Sequence, residues 1–341
     1  MARERGRRRG VRWLIGLLIL LALVWCGVWY AAGRAAQAGV DRLTAAVSAR
    51  GGSLSWEEQG IGGFPLNLDF HGSGLKFAFA PASVAAGLNR LTAQAPLYYP
   101  GRVTAEFVSP LVFNAPENGI AVSASWSIAT ANADAGLNGL TRAGGSIDGL
   151  ALDQTGPRLP IRRFAAKHAD FVAEPAAGDD YRLTAVASDV SLERTDGQTY
   201  PLLAGQLDLT ARHFGSSLGT DPKRAIAAWA AGGGAMRVDR LSFAAGSFTV
   251  AASGDLTLSR DGLVSGKLML ALTGLAGLPD LAEQLKPGTR DRVAKVVTAV
   301  TALSQPTGNG DTRQVPLIIN KGIVSVGLIP IGIIPPVKFQ S

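Results

Sequence analysis

The chain has 341 residues, 47% of them apolar and 17% charged, which excludes a disordered polar chain and gives material for one large or two ordinary folded domains. Its formal net charge of +7 would suit a nucleic-acid partner, but six arginines against Glu4 place +5 of it before Trp13, leaving +2 for the remainder. Nucleic acid is therefore not expected as a partner, and the single cysteine, Cys26, excludes an internal disulfide.

Residues 1–12 form a basic tail, and residues 13–32 read WLIGLLILLALVWCGVWYAA, twenty positions without a charge. As a helix that run rises about 30 Å, enough to cross the hydrocarbon core of a bilayer. Arginines before the run predict that its N-terminal end stays in the cytoplasm. The run is longer than the apolar region of a secretory signal and lacks a good small-x-small cleavage site, so an uncleaved anchor is expected. Trp25 stands where a lipoprotein would need a small residue before Cys26. Trp13, Trp25, Trp29 and Tyr30 cluster toward the two ends of the run, as interface aromatics do.

Residues 33–52 predict a short juxtamembrane helix, with Ala36, Val40, Leu43 and Val47 on one face and Gly51-Gly52 as its stop. From residue 53 to 341 the period changes to two, and one β-rich domain is expected. Leu66, Leu68 and Phe70 alternate with polar residues, and after Gly72 and Gly74 Leu75, Phe77 and Phe79 alternate with Lys76 and alanines, which reads as a hairpin. Ile120, Val122, Trp126 and Ile128 alternate with serines, and later come Leu207 and Leu209, Leu256 and Leu258, then Leu268, Leu270 and Leu272. Gly, Asp and Asn punctuate these runs. Two helices interrupt the meander: one capped by Asp221-Pro222 and carrying Trp229, and one after Thr289 with Val293, Val296, Val297, Val300 and Leu303 as a stripe. The fold class is thus mainly β (α+β): an N-terminal transmembrane helix, then an elongated, twisted antiparallel sheet with a few short helices.

No catalytic, cofactor or metal site is expected. His71, His168 and His213 have no metal-ligand spacing, and His168 with Asp170, two apart on a strand, is the nearest thing to a pair. Gly262 and Gly266-Lys267 are too close for a phosphate-binding loop, with Leu268 in place of the hydroxyl residue. No serine-hydrolase elbow is read from the sequence. Lipid-groove candidates are Leu66, Leu68, Phe70, Phe77, Phe79, Leu256, Leu258, Leu268, Leu270 and Leu272, because a one-sided apolar sheet must hide that side against something. Alternation alone fits a lipid groove and a closed core equally. Tyr98-Tyr99-Pro100 and the C-terminal VGLIPIGIIPPV are the other apolar features, the latter suited to a contact with another envelope protein.

The segment Gly60-Ile61-Gly62-Gly63-Phe64-Pro65-Leu66-Asn67-Leu68, behind an anchor and a short helix, resembles the opening of AsmA-like bacterial envelope proteins. Gly254-Asp255-Leu256-Thr257-Leu258, Arg260-Asp261-Gly262-Leu263 and the closing Gly322, Gly327 to Gly332 and Pro335-Pro336 resemble the DUF2125 family, a domain of unknown function. The resemblance implies a bacterial inner-membrane protein with a β-rich periplasmic body, and its distant AsmA-like side implies membrane lipid as the partner. The short chain argues against bridging two membranes. The expected function is handling of envelope lipid without enzymatic chemistry, the alternative being a structural or assembly factor.

Overall fold

The computed structural model describes residues 3–99, 101–136, 139–156, 161–200, 203–217, 222–285, 287–307, 311–327 and 329–337, with side chains from residue 17 onward. It divides into two compact units, Met1–Asn118 and Gly119–Ser341. Trp13 (as a side chain), Pro100, Asp221 and Leu328 lie outside what is described.

The first unit opens with α1 (Arg3–Ser48), so the apolar run and the juxtamembrane segment are one uninterrupted helix of 46 residues. Its portion from Leu17 is long and apolar enough to cross a membrane, and none of that window is buried in protein. The strands β1 (Gly52–Ser55), β2 (Glu58–Gly62), β3 (Asn67–Phe79), β4 (Val84–Pro96) and β5 (Arg102–Ala115) follow. All pairings are antiparallel: β1 and β2 lie end to end along one side of β3, β4 along the other, and β5 along β4.

The hairpin read over residues 66–79 is instead a single strand. The two apolar trios, Leu66/Leu68/Phe70 and Leu75/Phe77/Phe79, are out of phase, which suggested a turn at Gly72 to Gly74. In the structure β3 runs straight through while Gly74 takes a left-handed conformation, φ 59°. That residue resets the pleat, and the register with β4 is unchanged across it, from Ser73↔Arg90 to Leu75↔Leu88. Directly paired residues share a face. Phe77 pairs with Leu54 and Ala86, and Phe70 with Ala93. Trp56, two residues beyond Leu54, packs edge-on against Phe70 at 5.4 Å and covers Gly72, which joins the two trios into one apolar face.

The second unit contains β6 (Ile120–Ser125), β7 (Ile128–Gly136), β8 (Gly139–Thr155), β9 (Ile161–Pro175), β10 (Tyr181–Arg194), β11 (Leu203–Ala211), α2 (Pro222–Ala231), β12 (Ala235–Ala245), β13 (Phe248–Leu258) and β14 (Val264–Thr273). It ends with α3 (Leu278–Leu285), α4 (Arg290–Leu303), β15 (Gln305–Pro306), β16 (Arg313–Asn320), β17 (Ile323–Val326) and β18 (Ile329–Ile333). From β8 to β14 each strand pairs with the next; β6 and β7 both pair with β8; β14 pairs with β16, and α3 and α4 occupy the connection.

The same re-phasing recurs here. Gly149 in β8 and Asp189 in β10 both have positive φ, 63° and 49°. On one side of that line Leu152, Phe164 and Leu192 meet; on the other Ile147, Ala169 and Ala187 do, although the residue parity has changed. The alternation read through residues 120–128 is likewise broken between β6 and β7. Ala124 and Ala129 are buried and Ile128 is exposed, because Ser127 turns aside to donate its N–H to Asp148 O. Thr289 stands at the N-cap of α4 as read, but the helix N-terminus is capped by Glu283, whose carboxylate accepts from the N–H groups of Gly288, Thr289 and Arg290. Those bonds hold the Glu283 carboxyl below its ordinary range.

Candidate functional site

The apolar face of the first unit is open. Its buried apolar side chains, among the described residues, are Leu88 and Ala115; Leu68, Phe70, Phe77 and Phe79 are only half-buried, and Leu66, in the β2–β3 turn, keeps 56% of its surface. These five groove candidates share one strand and its turn. Leu75 continues this face along β3, and Leu54, Leu91, Phe107 and Phe113 extend it across β1, β4 and β5, as their pairings require, with Trp56 packed onto it. Sequence reasoning passed over most of these, since the bulges hide their phase. On the opposite side Lys76 bonds Glu57 at 2.8 Å, and that bond lowers the Glu57 pKa.

The five candidates of the second unit also share a face. Val250↔Leu272, Ala252↔Leu270, Gly254↔Leu268, Leu256↔Gly266 and Leu258↔Val264 are direct partners. Here, however, the face is largely closed. Leu258 and Leu268 retain 5% of their surface and Leu272 8%. Leu268 packs with Val238, Ala252 and Ile319, and Leu258 is capped by Trp229 of α2. Trp229 is held in place by its N–H, which donates to Arg212 O, and by the Phe214 ring against it. One row of paired residues shows where the closure ends. It runs Phe171, Ala185, Leu207, Leu241, Ala252, Leu270, Val315 across seven strands. Val315 is 1% exposed at the β16 end, whereas Leu241 is 44% and Phe171 47% exposed toward β9. Phe171 and Leu241 are apolar-face residues that the sequence reading missed.

His168 and Asp170 are neighbours as their spacing required, and a third group joins them. His168 Nδ1 lies 2.6 Å from Asp148 Oδ1 and Nε2 lies 3.0 Å from Asp170 Oδ1. Asp148 comes from the paired strand, directly opposite His168, which is why local sequence did not announce it. The bond to Asp148 above all, then that to Asp170, raises the His168 pKa. Both ring nitrogens are engaged by carboxylates, so neither is left to bond a substrate.

One further motif escaped the sequence reading: Gly215-Ser216-Ser217-Leu218-Gly219 has the Gly-x-Ser-x-Gly form, with Leu218 and Gly219 outside the described residues. It lies in the connection from β11 to α2, beside a small cleft lined by Arg212, His213 and Trp229. An elbow of this kind needs its serine hydroxyl bonded to a base. No such bond joins Ser217 to the His213 ring among the described residues; Ser216 Oγ donates instead to His213 O, and Asp179 and Asp180 cap the turn's backbone.

A family model described as an uncharacterized protein conserved in bacteria (DUF2125) matches residues 29–335. The chain belongs to the DUF2125 family. No curated protein and no solved structure matches it. The match on this DUF2125 chain starts at Trp29, inside α1, and covers all the described strands.

Proposed function

We propose that this is a single-pass protein of a bacterial inner membrane, with its N-terminus in the cytoplasm and its strands in the periplasm, that holds acyl chains of envelope lipids on the apolar face of its first unit. The observation that carries this reading is the incompletely buried row Phe70, Leu75, Phe77 and Phe79 on a strand whose other side carries Asp69, His71, Ser73 and Lys76. An acyl chain laid on that row would take the remaining exposed apolar surface of these side chains out of water, a gain of about 25 cal/mol per Å² covered. The exposed, charge-free stretch of α1 from Leu17 to Gly33 and the arginines in its first turns support the membrane placement. The AsmA-like resemblance of residues 60–68 points the same way.

The test uses the full chain with photoreactive benzoylphenylalanine in place of Phe77 or of Lys76, its outward neighbour. Irradiation of intact membranes followed by mass spectrometry is expected to give phospholipid adducts at position 77 and none at 76. Equal labelling at the two positions, or adducts to protein alone, would refute the reading. A second reading, an assembly factor docking another envelope protein, is favoured by the exposed Ile331 and Ile333 on β18. Deleting residues 330–341 would then abolish a cross-linked complex.

A further inference from the structure

The β2–β3 turn is bound to the apolar helix. Trp25 donates its indole N–H to Pro65 O at 2.7 Å, and Trp29 donates to Asn67 O at 2.8 Å. The Trp29 ring meets Phe64 edge-on at 5.6 Å, and Gly33 lets Ile61 and Leu68 approach the helix within ordinary contact distance of where its Cβ would be. Trp25 and Trp29 stand nine and five positions before Arg34, the first charge after the run. At 1.5 Å per residue, the turn is pinned about 8–14 Å toward the apolar side of that charge.

Its composition suits that depth. No residue charged at neutral pH occurs between Glu58 and Asp69, nor between Arg90 and Arg102, the stretch holding the neighbouring β4–β5 turn. The two turns are joined where Leu97 N–H donates to Leu66 O. Together they present Phe64 and Leu66, each 56% exposed, and Tyr98, 73% exposed. Tyr99 is stacked under the Arg102 guanidinium at 5.1 Å, an aromatic and a cation of the kind that settle at the headgroup level. The carbonyls of Pro65, Leu66 and Asn67 all have N–H partners within the protein, as a backbone leaving water requires.

We infer that the turns Gly63–Leu66 and Leu97–Tyr99 form a foot seated in the outer leaflet of the same bilayer that α1 crosses, at the boundary between headgroups and hydrocarbon. The inference rests on the reading of α1 as a membrane span, and it does not require that the sheet bind lipid. The foot fixes the unit against the membrane by a second attachment, and it sets Leu66 in lipid with Leu68 and Phe70 next along the strand. An acyl chain leaving the leaflet beside the helix meets that face first.

Spin labels decide the matter. In the full chain carrying Cys26→Ala and reconstituted in phosphatidylethanolamine–phosphatidylglycerol vesicles, a single cysteine is placed by Leu66→Cys, Tyr98→Cys, Leu21→Cys or Lys76→Cys. Collisions with oxygen, which partitions into lipid, are compared with collisions with a water-soluble nickel chelate. Lys76 lies ten residues beyond Leu66, about 33 Å along the strand. The oxygen-to-nickel ratio is expected to be several-fold higher at 66 and 98 than at 76, and to approach that at 21. A ratio at 66 and 98 equal to that at 76, with 21 still lipid-like, overturns the foot and leaves the span standing. Low accessibility to both reagents at 66 and 98 means that protein covers the turns and also overturns it. A water-like label at 21 overturns foot and span together. The two turn positions are independent, so a fold lost at one leaves the other to report.

Discussion

Leu268→Ala should cost the second unit about 3 kcal/mol, whereas Leu66→Ala should be nearly neutral, although both leucines belong to the same alternating apolar pattern. Leu268 has 95% of its surface covered and contacts Val238, Ala252 and Ile319, with Leu256, Leu270 and Leu317 around them. Removing a fully buried leucine side chain forfeits about 1.5–3 kcal/mol of transfer free energy, and the incompletely relaxed cavity brings the usual range to about 2–5 kcal/mol. Leu66, more than half exposed, has little transfer energy to lose, and about 0.5 kcal/mol bounds the effect. Amide exchange followed by mass spectrometry reads the two units separately. In the exchange regime governed by opening equilibria, 3 kcal/mol corresponds to a rise of about a hundredfold in the rates of the β13 and β14 amides. Peptides of β3 should be unchanged, as should lipid adducts at position 77. A rise below about tenfold in β13 and β14 would refute the claim that this part of the apolar face is a closed core.

Three other outcomes follow from particular residues. His168 has its pKa raised in the folded chain, so its contribution to stability is fully present below its unfolded value and is lost as pH rises through the folded one. An NMR titration of the His168 ring should show the larger fall in pKa for Asp148→Asn and the smaller for Asp170→Asn; no change in either would refute the assignment. Glu283 has the opposite sign: its carboxyl is depressed, so the cap it provides is present above the unfolded pKa and weakens as pH falls through the folded one. Glu283→Gln should speed exchange at residues 288–290 at neutral pH and remove most of that pH dependence. Gly74→Val should destabilise the first unit by about 1–3 kcal/mol, because a β-branched residue is forced to φ 59° in mid-strand, and Tm measured on the full chain should fall. An unchanged Tm would mean that the re-phasing at Gly74 is dispensable.

Much of the architecture was legible without coordinates, for definite reasons. A charge-free run of membrane length needs no tertiary context to be recognised, and Leu256 and Leu258, like Leu268, Leu270 and Leu272, alternate cleanly within their own runs, so the apolar side of each could be read directly. The hairpin assigned to residues 66–79 failed because alternation carries no mark separating a reversal of the chain from a single left-handed residue that resets the pleat. Gly74 provides the second, as do Gly149 and Asp189 in β8 and β10. The third member of the His168 row was equally hidden, since Asp148 is 20 residues away and is brought opposite only by register.

Local periodicity, charge placement and glycine spacing are properties of neighbours along the chain, and by themselves they determined the apolar helix, the antiparallel β class and which side of each regular run is apolar. Whether an apolar side is open or closed is a property of what another part of the chain lays over it. Trp229 and Ala230 of α2 close over Leu258, and Val238, Ala252 and Ile319 bury Leu268, whereas among the described residues Phe77 belongs to no such buried cluster. Likewise, only the fold brings Pro65 and Asn67 to Trp25 and Trp29, 38 to 40 residues apart, and so binds a strand connection to the apolar helix.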